Sequence, residues 1–344
     1  MSSPLEGQVA LVAGATRAAG RGIARELAAA GAKVYCTGRS TRGHPATPGR
    51  PETIEETAEL VAAAGGAAVA VQVDHTVEAE VAALAARIAA DEGRLDVLVN
   101  DIWGGDEMID WEAPGFWTQD MGDARTLVDR AVMSHWITSR HMAPMMVAAG
   151  RGLIVEVTDG SHPGYRGGLL YDFIKAGAIR LAYGMAWDLA RTRVTALALT
   201  PGFLRSEAML ERFGVTEANW RDGAVGRPDF GFSETPHYIG RAVAALAGDP
   251  QVRRKAGAAF SVGELSEEYG FTDLDGSQPN FWRSVSDRLA GELAAEDQLS
   301  PWAMRHAAGR YQKIHPSPTD ADEARALQAR LGWQRLPAGL QVSR

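Results

Sequence analysis

The sequence predicts an α/β protein: a doubly wound parallel sheet of about seven strands flanked by helices, with a C-terminal helical extension. Three observations lead there. Short apolar runs alternate with longer amphipathic stretches between residues 6 and 263, the pattern of successive βαβ units. The runs are rich in Val, Ile, Leu and Ala, as strands covered on both faces should be. A small-residue turn, Gly14-Ala-Thr-Arg-Ala-Ala-Gly20, joins the first run to the first helix.

In chain order the strands are expected at 8–13, 33–37, 67–73, 95–99, 152–157, 194–199 and 258–262. The helices between them are expected at 20–30, 52–64, 77–91, 125–149, 169–191 and 236–247. Residues 40–51 hold Pro45, Pro48, Pro51, Gly43 and Gly49 and read as a long loop. Residues 101–116 carry Trp103, Trp111 and Phe116 after the fourth strand; these aromatics either cap the core or wall a pocket. Residues 6–263 form one domain, and residues 264–344 form an extension packing on it or on a partner subunit. In that extension 289–295 and 321–331 look helical, with Trp282, Trp302 and Trp333 as apolar anchors.

Composition bounds the function. Of 344 residues 46% are hydrophobic and 23% charged, the profile of a globular protein with a large core. Cys36 is the only cysteine, so neither an internal disulfide nor a zinc site built on several cysteines is possible. A net charge of −8 without a basic run argues against a nucleic-acid groove. The N-terminus does not read as a secretory signal, and no 18 consecutive apolar residues occur, so no membrane span and a cytoplasmic location are expected.

Two sites carry chemistry. The turn from Gly14 to Gly20 can aim backbone N–H groups and a helix N-terminus at a pyrophosphate; in a chain with 38 glycines it could also be a plain strand–helix turn. The second is Tyr171-Asp-Phe-Ile-Lys175, whose spacing puts phenol and ammonium on one helix face. Only four lysines occur, and chance supplies about 0.08 such Tyr–Lys pairs in this composition.

Together these residues resemble the short-chain dehydrogenase/reductase family, a Rossmann-type fold. Its glycine pattern, its Asn-Asn-Ala-Gly motif, its Tyr-x3-Lys pair and its Pro-Gly turn correspond here to Ala13-Gly14-x3-Ala18-x-Gly20, Asn100-Asp101-Ile102-Trp103-Gly104, Tyr171-x3-Lys175 and Pro201-Gly202. Leu95-Asp-Val-Leu-Val-Asn100 and Tyr269-Gly-Phe-Thr-Asp-Leu-Asp-Gly276 resemble the branch called dehydrogenase/reductase member 1. The resemblance implies a dinucleotide held by Gly14, Thr16, Arg17, Ala18, Ala19, Gly20, Asp74, His75, Asn100, Lys175, Pro201, Gly202, Leu204 and Ser206. It implies a small-molecule substrate near Trp103, Ser161, His162 and Tyr165, and a homodimer or homotetramer paired through the helices at 125–149 and 169–191. Tyr171 would donate or remove the substrate proton, with Lys175 lowering its pKa and holding the nicotinamide ribose. The second strand ends without a carboxylate to grip a ribose hydroxyl. Arg39 and Ser40 stand there instead, with Arg17 in the turn, which favours NADP(H) over NAD(H).

The departures from the family pattern matter. Ala18 replaces a glycine, Asp101 replaces the second asparagine, and Asp129-Arg130-Ala131 occupies the region of the family's helix asparagine. The catalytic serine falls at Asp159 in the nearest branch, or at Thr158 by the general spacing. An ionised aspartate only accepts hydrogen bonds, and it raises a neighbouring tyrosine pKa. Either Asp159 is protonated, or Thr158 or Ser161 supplies the donor, or the substrate offers a group that wants an anion; a turn-capping role is the alternative. His162 lines the pocket or sits in a polar loop, and His75 covers an adenine or fills a loop. His135 and His141, six apart, do not stack as metal ligands, and no metal is expected.

The leading expectation is therefore an NADP(H)-dependent oxidoreductase acting on a carbonyl, alcohol or imine. The competing class is a catalytically impaired dinucleotide-binding sensor or scaffold. A methyltransferase is disfavoured by Tyr171-x3-Lys175 and Pro201-Gly202, and a serine hydrolase by the absence of Gly-x-Ser-x-Gly.

Overall fold

The structure is a computed structural model, described over residues 3–161, 166–285 and 287. Seven parallel strands form one sheet in the order β3-β2-β1-β4-β5-β6-β7. They are β1 Val9–Ala13, β2 Lys33–Gly38, β3 Ala67–Gln72, β4 Val97–Asn100, β5 Gly152–Val157, β6 Val194–Thr200 and β7 Ala259–Ser261. The central strands β1, β4 and β6 are buried at every residue, which is why they read as unbroken apolar runs.

Helices α1 Ala18–Ala29, α2 Ile54–Ala63, α3 Glu78–Glu92, α4 Met121–Val128, α5 Ser134–Ala149, α6 Leu169–Asp188, α7 Glu207–Arg212, α8 Pro236–Gly248 and α9 Val262–Tyr269 complete the described chain. On one sheet face α1 lies against α8 through Gly22 and Gly240, where a side chain would strike the facing backbone. Ile23, Leu27, Tyr238, Ile239 and Val243 fill the core there. On the other face Leu84, Ile88, Met142 and Met146 pack on Leu11, Leu98 and Ile154.

Several boundaries differ from the periodicity. The single helix expected at 125–149 is α4 and α5 joined by a π-helical turn, Asp129–Met133, at the position where the family's asparagine is not visible. The six-residue α7 escapes a pattern search because it spans under two turns. Residues 264–269 continue α9, which Ser261 and Glu264 start with a reciprocal capping box. Trp282 donates its indole N–H to the Pro201 carbonyl at 2.8 Å, so the chain past β7 returns to the carboxyl edge of the sheet. Trp302, Trp333 and the helices expected at 289–295 and 321–331 lie outside the described residues, as do His162 and Tyr165. No described helix is long and apolar enough to cross a membrane.

Candidate active site

The sheet changes winding direction between β1 and β4, and the carboxyl ends of these strands open a crevice. The turn after β1 enters it. Gly14 has φ +94°, and a side chain there would collide with the Asp101 carbonyl; one on Gly20 would collide with the Gly14 carbonyl. Ala18, at φ +47°, is the only non-glycine with positive φ among the described residues, at a cost of about 1–2 kcal/mol. Its N–H donates to Glu207 Oε2 at 3.0 Å, and Arg21 lies 3.5 Å from the same carboxylate. Ala19 is buried, and Thr16 is buried beneath Gly38.

At the outer end, Arg39, His44, Gln72, Asp74 and Arg87 line a cleft of about 950 Å³. Arg39 and Asp74 stand 4.0 Å apart. Burial works to raise the Asp74 pKa, but hydrogen bonds from Thr76 and the Arg39 charge hold it below the usual carboxylate range. Arg17 donates to Thr47 at 2.8 Å and lies 3.7 Å from Glu52, while Ser40 Oγ accepts the Ala46 N–H at 3.1 Å. The His75 ring is turned into the protein. It is buried with both nitrogens 2.8 Å from hydroxyls, Thr37 and Thr138, and burial pushes its pKa down to about 3.

Beneath the crevice, Asn100 donates to Glu156 at 2.6 Å and to Ser139 at 2.9 Å. His135 Nδ1 faces Glu156 at 2.6 Å, and Nε2 faces the Ile102 carbonyl at 3.0 Å. Both ring nitrogens of His135 are thus engaged, one by a β5 side chain and one by the backbone after β4. The network braces the loop after β4. Sequence reasoning weighed His135 only as a metal ligand; the signal for its real partner was a glutamate inside a buried apolar strand.

The chemical end lies between β5, α6 and that loop. Tyr171 and Lys175 share a face of α6, and the Tyr171 hydroxyl donates to Asp159 Oδ2 at 2.9 Å. The Lys175 ammonium lies 4.1 Å over the Trp103 ring and 5.5 Å from the Tyr171 ring centre. Trp103 and Trp111 meet Tyr171 edge-on at 5.7 and 5.0 Å. The Thr158 hydroxyl is committed elsewhere: it donates to the Lys175 carbonyl at 2.6 Å. Ser161 Oγ is buried with no hydrogen-bond partner. Pro201 and Gly202 close the far side, with Glu234 packed against Gly202 and its backbone bridged to Leu204; Ser206 caps α7.

Electrostatics correct one expectation. Lys175 does not bring the phenol down. Burial first, then the Asp159 charge and hydrogen bond, hold Tyr171 well above the ordinary tyrosine range. Burial lowers Lys175, against the pull of Asp159, Asp101 and Asp106. Asp101 is pushed up to about 7 by burial, opposed by the Lys175 and His135 charges and the Gly20 N–H.

Residues 8–214 match the family model described as short chain dehydrogenase. The chain belongs to the short-chain dehydrogenase/reductase family. Curated relatives in this family include the mouse dehydrogenase/reductase SDR family member 1, 34% identical over 286 residues, covering 80% of this chain and 86% of that protein. The human protein of the same name is 32% identical over 300 residues, covering 84% and 90%. A metagenomic short-chain oxidoreductase solved in complex with NADP superposes with a TM-score of 0.56 at 25% identity, covering 75% of this chain and 97% of that one. The turn fits a dinucleotide of the kind this family binds, because the Ala18 N–H that opens α1 meets an anion, the Glu207 carboxylate, where a phosphate would sit.

Proposed function

We propose that the protein is an NADP(H)-dependent oxidoreductase moving hydride between the nicotinamide and the carbon of a small carbonyl or alcohol substrate, or its imine or amine counterpart. One observation carries this reading: Tyr171 and Lys175 stand on one face of α6 at the mouth of the crevice entered by the Gly14–Gly20 turn. The NADP complex of the metagenomic relative and the arginines Arg17 and Arg39 support the 2′-phosphorylated cofactor. The bound dinucleotide supplies the hydride; the protein supplies the rest. The α1 N-terminus and the Ala18 N–H hold the pyrophosphate once Glu207 moves aside. Lys175 holds the nicotinamide ribose. Tyr171, kept protonated by burial and by Asp159, is a proton donor in the reducing direction.

Residues 264–344 belong to this reading as an extension of the catalytic domain at 6–263. The exposed aromatics Trp136 on α5 and Trp187 on α6 fit a homodimer or homotetramer paired along those helices.

The test is Tyr171→Phe. Turnover of a ketone substrate should fall at least about a hundredfold while NADPH binding stays near wild type, since only the exchangeable proton is removed. Retained turnover overturns the assignment of Tyr171. Cofactor binding without turnover of any substrate in the wild type would favour the sensor or scaffold.

A further inference from the structure

We infer that this site takes a cationic C=N substrate, a protonated imine, in preference to a neutral ketone; the inference rests on the hydride-transfer reading above and narrows its substrate class.

The wall chemistry is the first ground. Asp159 Oδ2 is the acceptor of the Tyr171 phenol at 2.9 Å, and Asp101 and Asp106 join it in acting on Lys175. Asp106 is fixed by the Trp103 indole N–H at 2.7 Å. The other nearby cation, Arg166, lies 3.4 Å from a carboxylate of its own, Asp172. Asp159 and Asp106 thus pull on Lys175, and Asp101, pushed up to about 7 by burial, adds its charge as the pH rises past that value. Trp103 and Trp111 flank the same phenol, and Lys175 4.1 Å over the Trp103 face shows that this wall accommodates a cation.

The second ground is the shortage of donors for a ketone oxygen among the described residues. Thr158 gives its hydroxyl to the helix backbone, and the Tyr171 proton points at Asp159. Among the described residues, Ser161 is the one with a buried, unpartnered hydroxyl.

The third is the charge balance of the step. When a ketone is reduced, a new C–H bond forms and the C=O π pair moves onto oxygen, placing negative charge beside Asp159 until a proton arrives. When a protonated imine is reduced by the same hydride, the C=N π pair becomes the nitrogen lone pair. The product is a neutral amine that needs no proton from the protein in that step. The positive charge passes from the substrate to the oxidised nicotinamide, and no anion is created. A carboxylate opposes the first course and holds the second substrate in place by accepting its N–H.

The experiment uses the full chain with NADPH and three probes: dihydroisoquinoline, its N-methyl iminium salt, and tetralone as the carbocyclic ketone. Binding is read separately by calorimetry, with tetrahydroisoquinoline as the cationic amine and tetralol as the neutral counterpart. The amine should bind at least about tenfold tighter than the alcohol, and both imines should be reduced with higher kcat/KM than tetralone. Asp159→Ser, and independently Asp159→Asn, should cut the dihydroisoquinoline-to-tetralone ratio about ten- to hundredfold, as expected for loss of a charged hydrogen bond, and the ratio for the N-methyl iminium, which has no N–H to give, by less. NADPH fluorescence verifies that both variants are folded. Equal binding of amine and alcohol, or a dihydroisoquinoline-to-tetralone ratio indifferent to both substitutions, overturns the inference. Cation-selective binding that depends on Asp159, with no NADPH oxidation by any probe, would uphold the charge preference and overturn the hydride-transfer reading instead.

Discussion

The carboxylate of Glu207, at the first position of α7, accepts the Ala18 N–H at 3.0 Å, 189 residues away in sequence. It holds the donor that a pyrophosphate needs, at the positive end of α1. On the proposed reading, a pyrophosphate at this turn requires the Glu207 side chain to move aside. Glu207→Gln should tighten NADPH binding about fivefold, the effect of removing roughly 1 kcal/mol of competing charge. Weaker binding would mean that Glu207 only tethers α7; fluorescence titration decides.

Asp159 raises the Tyr171 pKa by its charge and by accepting the phenolic proton. Asp159→Ser should bring that pKa down. In alcohol oxidation, which needs the phenolate, the rising limb of the pH–rate profile should shift to lower pH in the variant. A difference spectrum of phenolate formation gives the same quantity without turnover, and Tyr171→Phe identifies the signal. An unmoved titration would break the link between the two residues.

Asp101 has a folded pKa of about 7, above its ordinary value of 3.8. Between those values the unfolded chain has released the proton that the folded chain retains. Stability from this group is thus lost as pH rises toward 7. Asp101→Asn should leave Tm close to wild type near about pH 4 and raise it above wild type near about pH 8. Thermal unfolding at the two pH values checks the sign; a Tm difference independent of pH would contradict it.

Arg39 faces Asp74 across the mouth of the outer cleft. Exchanging it for aspartate should weaken NADPH by about 1–3 kcal/mol relative to NADH, the scale of a lost hydrogen bond to a charged group. Dissociation constants for both cofactors measure this. An unchanged ratio would remove the argument for the phosphorylated cofactor.

Trp187 is 67% exposed on α6 and Trp136 is 56% exposed on α5. If these helices pair between subunits, Trp187→Glu should bury a charge in that contact and shift the protein to monomer. Sedimentation of wild type and variant tests it, with circular dichroism to confirm folding.

Much of this was legible in the chain. Seven short, mostly apolar runs point to a parallel sheet, and every residue of β1, β4 and β6 is buried, as in strands covered on both faces. Gly14, Gly20 and the Tyr171–Lys175 spacing are local signals, since a turn or one helix face fixes them. The replacement of the expected serine by Asp159 was visible too, as was its pressure on the tyrosine.

Other features needed the tertiary structure, because they depend on groups brought together from distant segments. Periodicity could not place Glu207 on the α1 N-terminus, nor join His135 on α5 to Glu156 on β5. It suggested that Lys175 would lower the tyrosine pKa. In the folded chain the ammonium lies over Trp103, while Asp159 and burial govern the phenol. Thr158, an open candidate by spacing, is removed as a donor by the Lys175 carbonyl. The chain alone specifies the sheet, the Gly14–Gly20 turn and the shared helix face of Tyr171 and Lys175, because burial and backbone geometry act residue by residue. The charge on each of those side chains was decided only by the tertiary structure, because desolvation and Coulomb interactions depend on distances between segments far apart in the chain.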